Sequence, residues 1–253
     1  MTMSHWNKRE GALVRMSNPT DEEIIQHELA VKGEATQDMP LVSEIYPIKE
    51  LFNQLSIEFH DKIHSLNEKY SGYRKVIPDG NCFYRAMLFQ LNQLDLSLKK
   101  KWFIERKAEF IKLLDLAGFE RLAYEDFVDS FFSHLSGSEG IEEINGAIVF
   151  MRLIASAQLL LNYEQYAPFI PELADSSLES MKAFCSSNID AFGKEADQIS
   201  IISICEAFKV ACKIAYITAG SDLLSFVHIG DEAIEPKIHL LFKPCHYDIL
   251  VEK

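Results

Sequence analysis

The stretch "PDGNCFYRA", residues 78–86, sets a cysteine directly after Asp-Gly-Asn and before a run able to begin a helix. Its continuation "CFYRAMLFQLN" (82–92) reads as a helix that starts at Cys82, which puts the thiol at the N-terminal end. A free thiol is only a few per cent ionised at neutral pH, and the unpaired N–H groups and positive dipole end of a helix start favour its thiolate. Gly80 permits a backbone turn that other residues resist. The Asp-Gly-Asn turn can aim its N–H groups, with that of Cys82, at one point, where they would stabilise the oxyanion of an acyl-transfer intermediate. Asp79 is placed to brace that turn. The competing reading is an ordinary buried cysteine at a turn-to-helix junction, since cysteine is among the residues most often buried. A matching base elsewhere in the chain has to decide between the two.

The base is sought in "KPCHYDILV" (243–251), where strand alternation puts His246, Asp248 and Leu250 on one face and Tyr247, Ile249 and Val251 on the other. A carboxylate two positions from an imidazole on one face can accept a hydrogen bond from one ring nitrogen and leave the other for a thiol. Spacing alone is weak support, because many solvated strand faces carry such a pair.

Around these two motifs the chain changes character once. Residues 101–211 are mostly helical in pattern, broken by "SGSEG" (136–140), by Pro168 and Pro171, and by "ADSS" (174–177). From Lys213 onward, "KIAYIT", "SFVHI", "KIHLLF" and "HYDILV" are β-branched or aromatic and separated by Gly, Asp and Pro, as strands of one sheet would be. Helices first and strands last predict an α+β fold, its helical part packed on a mostly antiparallel C-terminal sheet. Toward the other end, "LVSEIYPIKELFNQLSIEFHDKIHSLNEKY" (41–70) carries apolar residues at helical spacing and predicts one or two helices. Before it, Thr20 and Glu23 form a capping box for a thin acidic helix with Ile25 and Leu29 on its stripe. The expected organisation is a mobile N-terminus over 1–19, a helical arm over 20–45 and one catalytic domain over 46–253.

Composition narrows the function. A chain of 253 residues with 48% hydrophobic and 25% charged residues can bury a substantial core. Its net charge of −13 argues against a nucleic-acid partner, which would need clustered lysine and arginine. No apolar stretch near residue 1 resembles a signal-peptide core, so a reducing intracellular setting is the expectation, cytoplasmic or nuclear. Cysteines 82, 185, 205, 212 and 245 include no C-x-x-C pair, which speaks against a disulfide framework or a zinc ribbon. "AIVFMRLIASAQLLL" (147–161) is interrupted by Arg152, Ser156 and Gln158 and reads as a buried core helix, with no membrane partner expected. His60 and His64 lie at i and i+4 but lack a third ligand, and Cys82, Cys245 and His246 lack a fourth, so no metal is expected.

"PDGNCFYRA" together with "HYDIL" near the C-terminus resembles the active-site pair of the OTU-type cysteine proteases, specifically the otubains, and "LVSE", "YEDF", "MKAFC", "SIISICEAF" and "EPKIHLLFKP" resemble them too. The similarity runs from about residue 24 to the end of the chain. It implies a papain-like OTU fold and hydrolysis of the isopeptide bond after the C-terminal glycine of ubiquitin, through a cysteine thioester and without a cofactor. It implies Cys82 as nucleophile, His246 as general base, Asp248 as the residue orienting it, and Asp79, Gly80 and Asn81 as the loop beside the oxyanion. By the same resemblance Phe226, His228 and Ile229 would face the distal ubiquitin, and the arm would help hold the proximal one. The implied partners are ubiquitin and polyubiquitin for a monomeric enzyme. The alternative is a non-catalytic ubiquitin-binding inhibitor of ubiquitin-conjugating enzymes, and a protease for ubiquitin-like modifiers is a third reading. The pattern departs at Cys245, where otubains usually carry glycine, and in "KGEATQDMP", which is longer than the usual connection. Neither linkage preference nor regulation is legible.

Overall fold

The computed structural model describes residues 39–173, 175–218 and 223–253, with the backbone alone for 96–105. The mobile segment expected over 1–19 and the capped helix of the arm fall on residues outside that description.

The chain runs β1 (Val42–Pro47), a 3₁₀ segment (Ile48–Asn53), α1 (His60–Lys69), β2 (Tyr70–Val76), α2 (Cys82–Gln93), α3 (Leu96–Ala117), α4 (Arg121–Leu135) and α5 (Ile141–Leu161). There follow a single turn α6 (Tyr163–Tyr166), α7 (Leu178–Phe184), which widens into a π-helical turn at Cys185–Ile189, and α8 (Gln198–Phe208). Strands β3 (Cys212–Tyr216), β4 (Ser225–Ile229), β5 (Ile238–Lys243) and β6 (His246–Glu252) complete a six-stranded sheet of order β1-β2-β6-β5-β3-β4. Helix starts follow local chemistry: the Ser177 hydroxyl accepts from Ser180 N–H at α7, and Asp197 accepts from Ser200 N–H at α8.

The α+β class holds, with two corrections. The sheet is mostly antiparallel as expected, with β3 and β5 its parallel pair, but it is not wholly C-terminal, since β1 and β2 come from the N-terminal half. Residues 42–47, expected to be helical, form β1 instead. The cause is visible in the register: a bulge between Val42 and Ile45 shifts the strand's phase, so its apolar residues fall three apart and imitate a helical stripe. Gly72 of β2 lets β1 approach closely, for a Cβ there would lie 2.5 Å from the Ile45 Cγ2. Because β1 belongs to the sheet, the compact unit spans Asp38–Lys253, and the boundary expected at residue 46 lies inside a strand.

Each face of the sheet carries a core. On one, Ile48, Leu51, Ile63, Leu66, Tyr73 and Leu250 pack together. On the other, Tyr247 and Ile249 meet the large helical cluster that includes Phe83, Met87, Phe150, Ile154 and Phe208. The alternation expected of 246–251 is thereby realised, with neighbouring side chains serving opposite cores. Helix α5 is long and apolar enough to cross a membrane, but it is the central core helix, with Ala147, Ile148, Met151, Ile154 and Ala155 fully buried.

Candidate active site

The turn before α2 is built from its own short side chains. Gly80 adopts φ 77°, and Asn81 precedes the helix at φ −108°, ψ 8°. The Asp79 carboxylate folds over the turn, accepting from Asn81 N–H (3.0 Å) and Asn81 Nδ2 (3.2 Å) and from Arg85 Nε (2.9 Å) and Nη2 (2.6 Å). Burial works to raise the Asp79 pKa, but Arg85 and Asn81 outweigh it and hold the carboxyl below its ordinary value. Asp79 braces the turn as its position suggests. One element differs from expectation: the Asn81 N–H is taken by Asp79 and does not join that of Cys82 in aiming at an oxyanion. The Asp79 side chain, two residues back, closes an Asx-type bond within the turn and takes that donor. Asn81 acts instead through its side chain, whose Oδ1 accepts from Gly193 N–H at 3.0 Å and from Arg152 Nη2 at 2.7 Å.

Cys82 follows at the first helical position, 4% exposed. Across from it, the β5–β6 hairpin turns through Pro244 and Cys245, and cross-strand pairing of Lys243 with His246 sets the imidazole's place. His246 Nε2 lies 2.9 Å from Asp248 Oδ1. Nδ1 is the nitrogen left for a thiol; it is buried and makes no hydrogen bond of ordinary geometry, while the Cys82 side chain is near enough to favour the imidazolium. Burial alone would depress the His246 pKa, but Asp248 and Cys82 together raise it to about 9. The three residues singled out in two distant stretches are thus brought together.

Asp248 is fully buried and uses both oxygens. Its Oδ1 also accepts the Val76 N–H at 3.0 Å, just past the end of the β2–β6 pairing, and Oδ2 meets Lys243 Nζ at 2.6 Å. Burial pushes this carboxyl up, yet His246 and Lys243 pull it below its ordinary value. Sequence reasoning missed Lys243, although a lysine placed opposite the histidine across a two-residue hairpin was a usable signal. It also missed the cleft wall: a cavity of about 370 Å³ is lined by Cys82, Tyr216, Phe242, Cys245, Tyr247 and residues 195–198. Only the capping Asp197 could have hinted at that segment.

The other expected residues lie elsewhere. Phe226, His228 and Ile229 sit on edge strand β4, and none lines the Cys82 cleft. Phe226 is half-buried and stacks on Tyr70, and His228 is exposed. Ile229 is 5% exposed within the helical core, so it is a packing residue and not a contact surface, because alternation turns it inward. His60 and His64 each pack their rings on Phe52. Among the described residues no group of three His, Cys, Asp or Glu is placed to hold a metal ion. Cys245 is exposed, with φ 58°.

The family model for Peptidase C65 Otubain matches residues 34–252, which takes in both halves of this site. The chain belongs to the otubain family. Among curated otubains, human ubiquitin thioesterase OTUB1 is 30% identical over 248 residues, covering 91% of this chain and 90% of the relative. An otubain-like ubiquitin thioesterase of Caenorhabditis elegans is 31% identical over 260 residues, covering 92% and 90%. A solved h/ceOTUB1–ubiquitin aldehyde–UBC13~Ub complex matches this otubain with a TM-score of 0.80 at 30% identity, over 92% of this chain and 98% of that one. A second complex, with UBCH5B~Ub, matches equally well.

Proposed function

We propose that this otubain is a deubiquitinating cysteine protease that hydrolyses the isopeptide bond between the C-terminal glycine of ubiquitin and a lysine. The observation that carries the reading is the chain Asp248–His246–Cys82, in which the carboxylate claims Nε2 and leaves Nδ1 for the thiol. Nδ1 holds the Cys82 proton as an imidazolium ahead of the first step, and the sulfur anion so formed attacks the glycine carbonyl, with the N–H groups at the start of α2 beside the developing oxyanion. The tetrahedral intermediate collapses as the imidazolium gives its proton to the departing lysine amine, leaving a ubiquitin thioester on Cys82. Water, deprotonated by His246, then attacks the thioester carbonyl; the C–S bond breaks, ubiquitin leaves with a free C-terminal carboxylate, and the imidazolium returns its proton to the Cys82 sulfur. Asp248 stabilises the imidazolium in both halves, and the cleft of about 370 Å³ between 195–198 and Tyr247 opens beside Cys82, where the ubiquitin C-terminus would lie.

Ubiquitin carrying a C-terminal electrophile tests this directly. A covalent adduct mapping to Cys82, absent in Cys82→Ala, is the expected result, whereas an adduct on Cys245 or on a buried cysteine would remove the assignment. Binding of ubiquitin-conjugating enzymes is a second reading. Its support is the near-complete alignment with OTUB1–ubiquitin aldehyde complexes of UBC13~Ub and UBCH5B~Ub. Retained inhibition of ubiquitin-chain synthesis by Cys82→Ala would establish it alongside catalysis.

A further inference from the structure

The most deeply buried cation among the described residues belongs to no step of this mechanism. Arg152 sits mid-way along α5, 0% exposed, in a helix whose buried side chains are mostly apolar. A guanidinium so placed is costly unless its donors are satisfied. Nη1 donates to Ile189 O at 2.9 Å, the two hydrogens of Nη2 are shared among Asn81 Oδ1 (2.7 Å), Lys194 O (2.6 Å) and Gly80 O (3.2 Å), and Nε is buried without a hydrogen-bond partner. Its carbon lies 4.3 Å from the centre of the Tyr84 ring.

These partners are not scattered through the core. Gly80 and Asn81 form the turn that delivers Cys82, while Lys194 immediately precedes residues 195–198, the opposite wall of the cleft. The two segments also meet directly, since Asn81 Oδ1 accepts from Gly193 N–H and a Cβ on Gly80 would lie 1.7 Å from the Gly193 carbonyl oxygen. One nitrogen, Nη2, therefore ties both sides of the cleft to the central helix, while Nη1 holds the π-helical turn at Ile189. The Nη1 bond to Ile189 O fixes the guanidinium plane and with it the place of Nη2 between the two segments, a constraint that a lysine ammonium lacks.

We propose that Arg152 is a positioning residue for catalysis, holding the 79–82 turn and the 193–198 wall in the register at which the N–H of Cys82 meets the substrate's developing oxyanion. The inference rests on the deubiquitinase reading and adds a residue to it. A displacement of about 1 Å in such a site lowers turnover by about 100-fold, so loss of the guanidinium has a kinetic signature even where the fold survives.

Arg152→Lys keeps the positive charge beside the thiol and removes the guanidinium. On release of a fluorophore from the C-terminus of ubiquitin, the expected loss in kcat is about 10- to 100-fold with KM within about threefold. The rate of Cys82 alkylation by iodoacetamide, which forms no oxyanion, is expected to stay within about twofold of wild type. Asn81→Ala removes the acceptor end of the same contact and is expected to give the same split, so the test survives if the lysine variant fails to fold. A folded Arg152→Lys protein with wild-type kcat, or one whose alkylation rate falls in parallel with kcat, would overturn the proposal, as would failure of both variants to fold. Failure of the deubiquitinase reading is separable, since Cys82→Ala would then leave the fluorophore release unchanged.

Discussion

Two turns flank the site, and each holds a residue at positive φ: Gly80 at 77° before the nucleophile and Cys245 at 58° before the histidine. They differ in what the position demands. Gly80 is buried, and a side chain there would collide with the Gly193 backbone, so both the dihedral angle and the space exclude other residues. Cys245 projects into the open cleft, so only the dihedral angle is strained, and the strands on either side supply the geometry. The Cys82 side of the site is held by side-chain bonds from Asp79, Arg85, Asn81 and Arg152, and the His246 side by backbone pairing in a hairpin. Substitutions in the first turn should therefore be severe, and substitutions in the second mild.

The largest effect probes the thiol that both turns serve. Cys82→Ala should abolish ubiquitin-electrophile labelling and turnover while leaving ubiquitin binding measurable by calorimetry. Next comes Asp248→Asn, expected to lower kcat by about 10²- to 10⁴-fold, because the amide neither stabilises an imidazolium nor secures the tautomer. Its pH profile sharpens the point. With His246 at about 9 against an ordinary 6.5, the wild-type imidazolium persists through neutral pH, and activity should fall along an alkaline limb near 9. Removing the carboxylate moves that limb to lower pH. The same linkage makes the His246 contribution to stability complete below about 6.5 and lost as pH rises through about 9.

Gly80→Ala should be the more damaging turn variant, lowering stability by about 2–4 kcal/mol through strain and forced separation from Gly193. Thermal unfolding and kcat should fall together, and an unaltered melting temperature would dissolve the contrast between the turns. The smallest effect is expected from Cys245→Gly. Relief of the left-handed strain, offset by glycine's greater unfolded-state entropy, should change stability by under about 1 kcal/mol in the favourable direction. Activity should stay within about twofold, and a tenfold loss would mean that the thiol itself takes part.

Local patterns carried part of this molecule. The break at 136–140, the four C-terminal strands and the face shared by His246 and Asp248 all follow from short-range rules, and each is found in the structure. Strand β1 was illegible for a definite reason: its bulge puts Val42, Ile45 and Tyr46 at helical spacing, and the pairing that overrides this lies about thirty residues away at Val76, Arg74 and Tyr73. Ile229 reads as a surface residue until the helical core is seen behind it.

By itself the sequence determined that a thiol stands at a helix start, that an imidazole and a carboxylate share one strand face, and that the chain resembles an otubain. These depend on dihedral preference, alternation and residue identity, all of which are local. Tertiary structure alone decided that Lys243 and the Val76 N–H close around Asp248, and that Asn81 lends its side chain and not its N–H to the turn. It alone decided, too, that the arginine interrupting an apolar helix grips both walls of the cleft. Those contacts join segments dozens of residues apart, and their distances depend on how helices and sheet pack, which no spacing along the chain encodes.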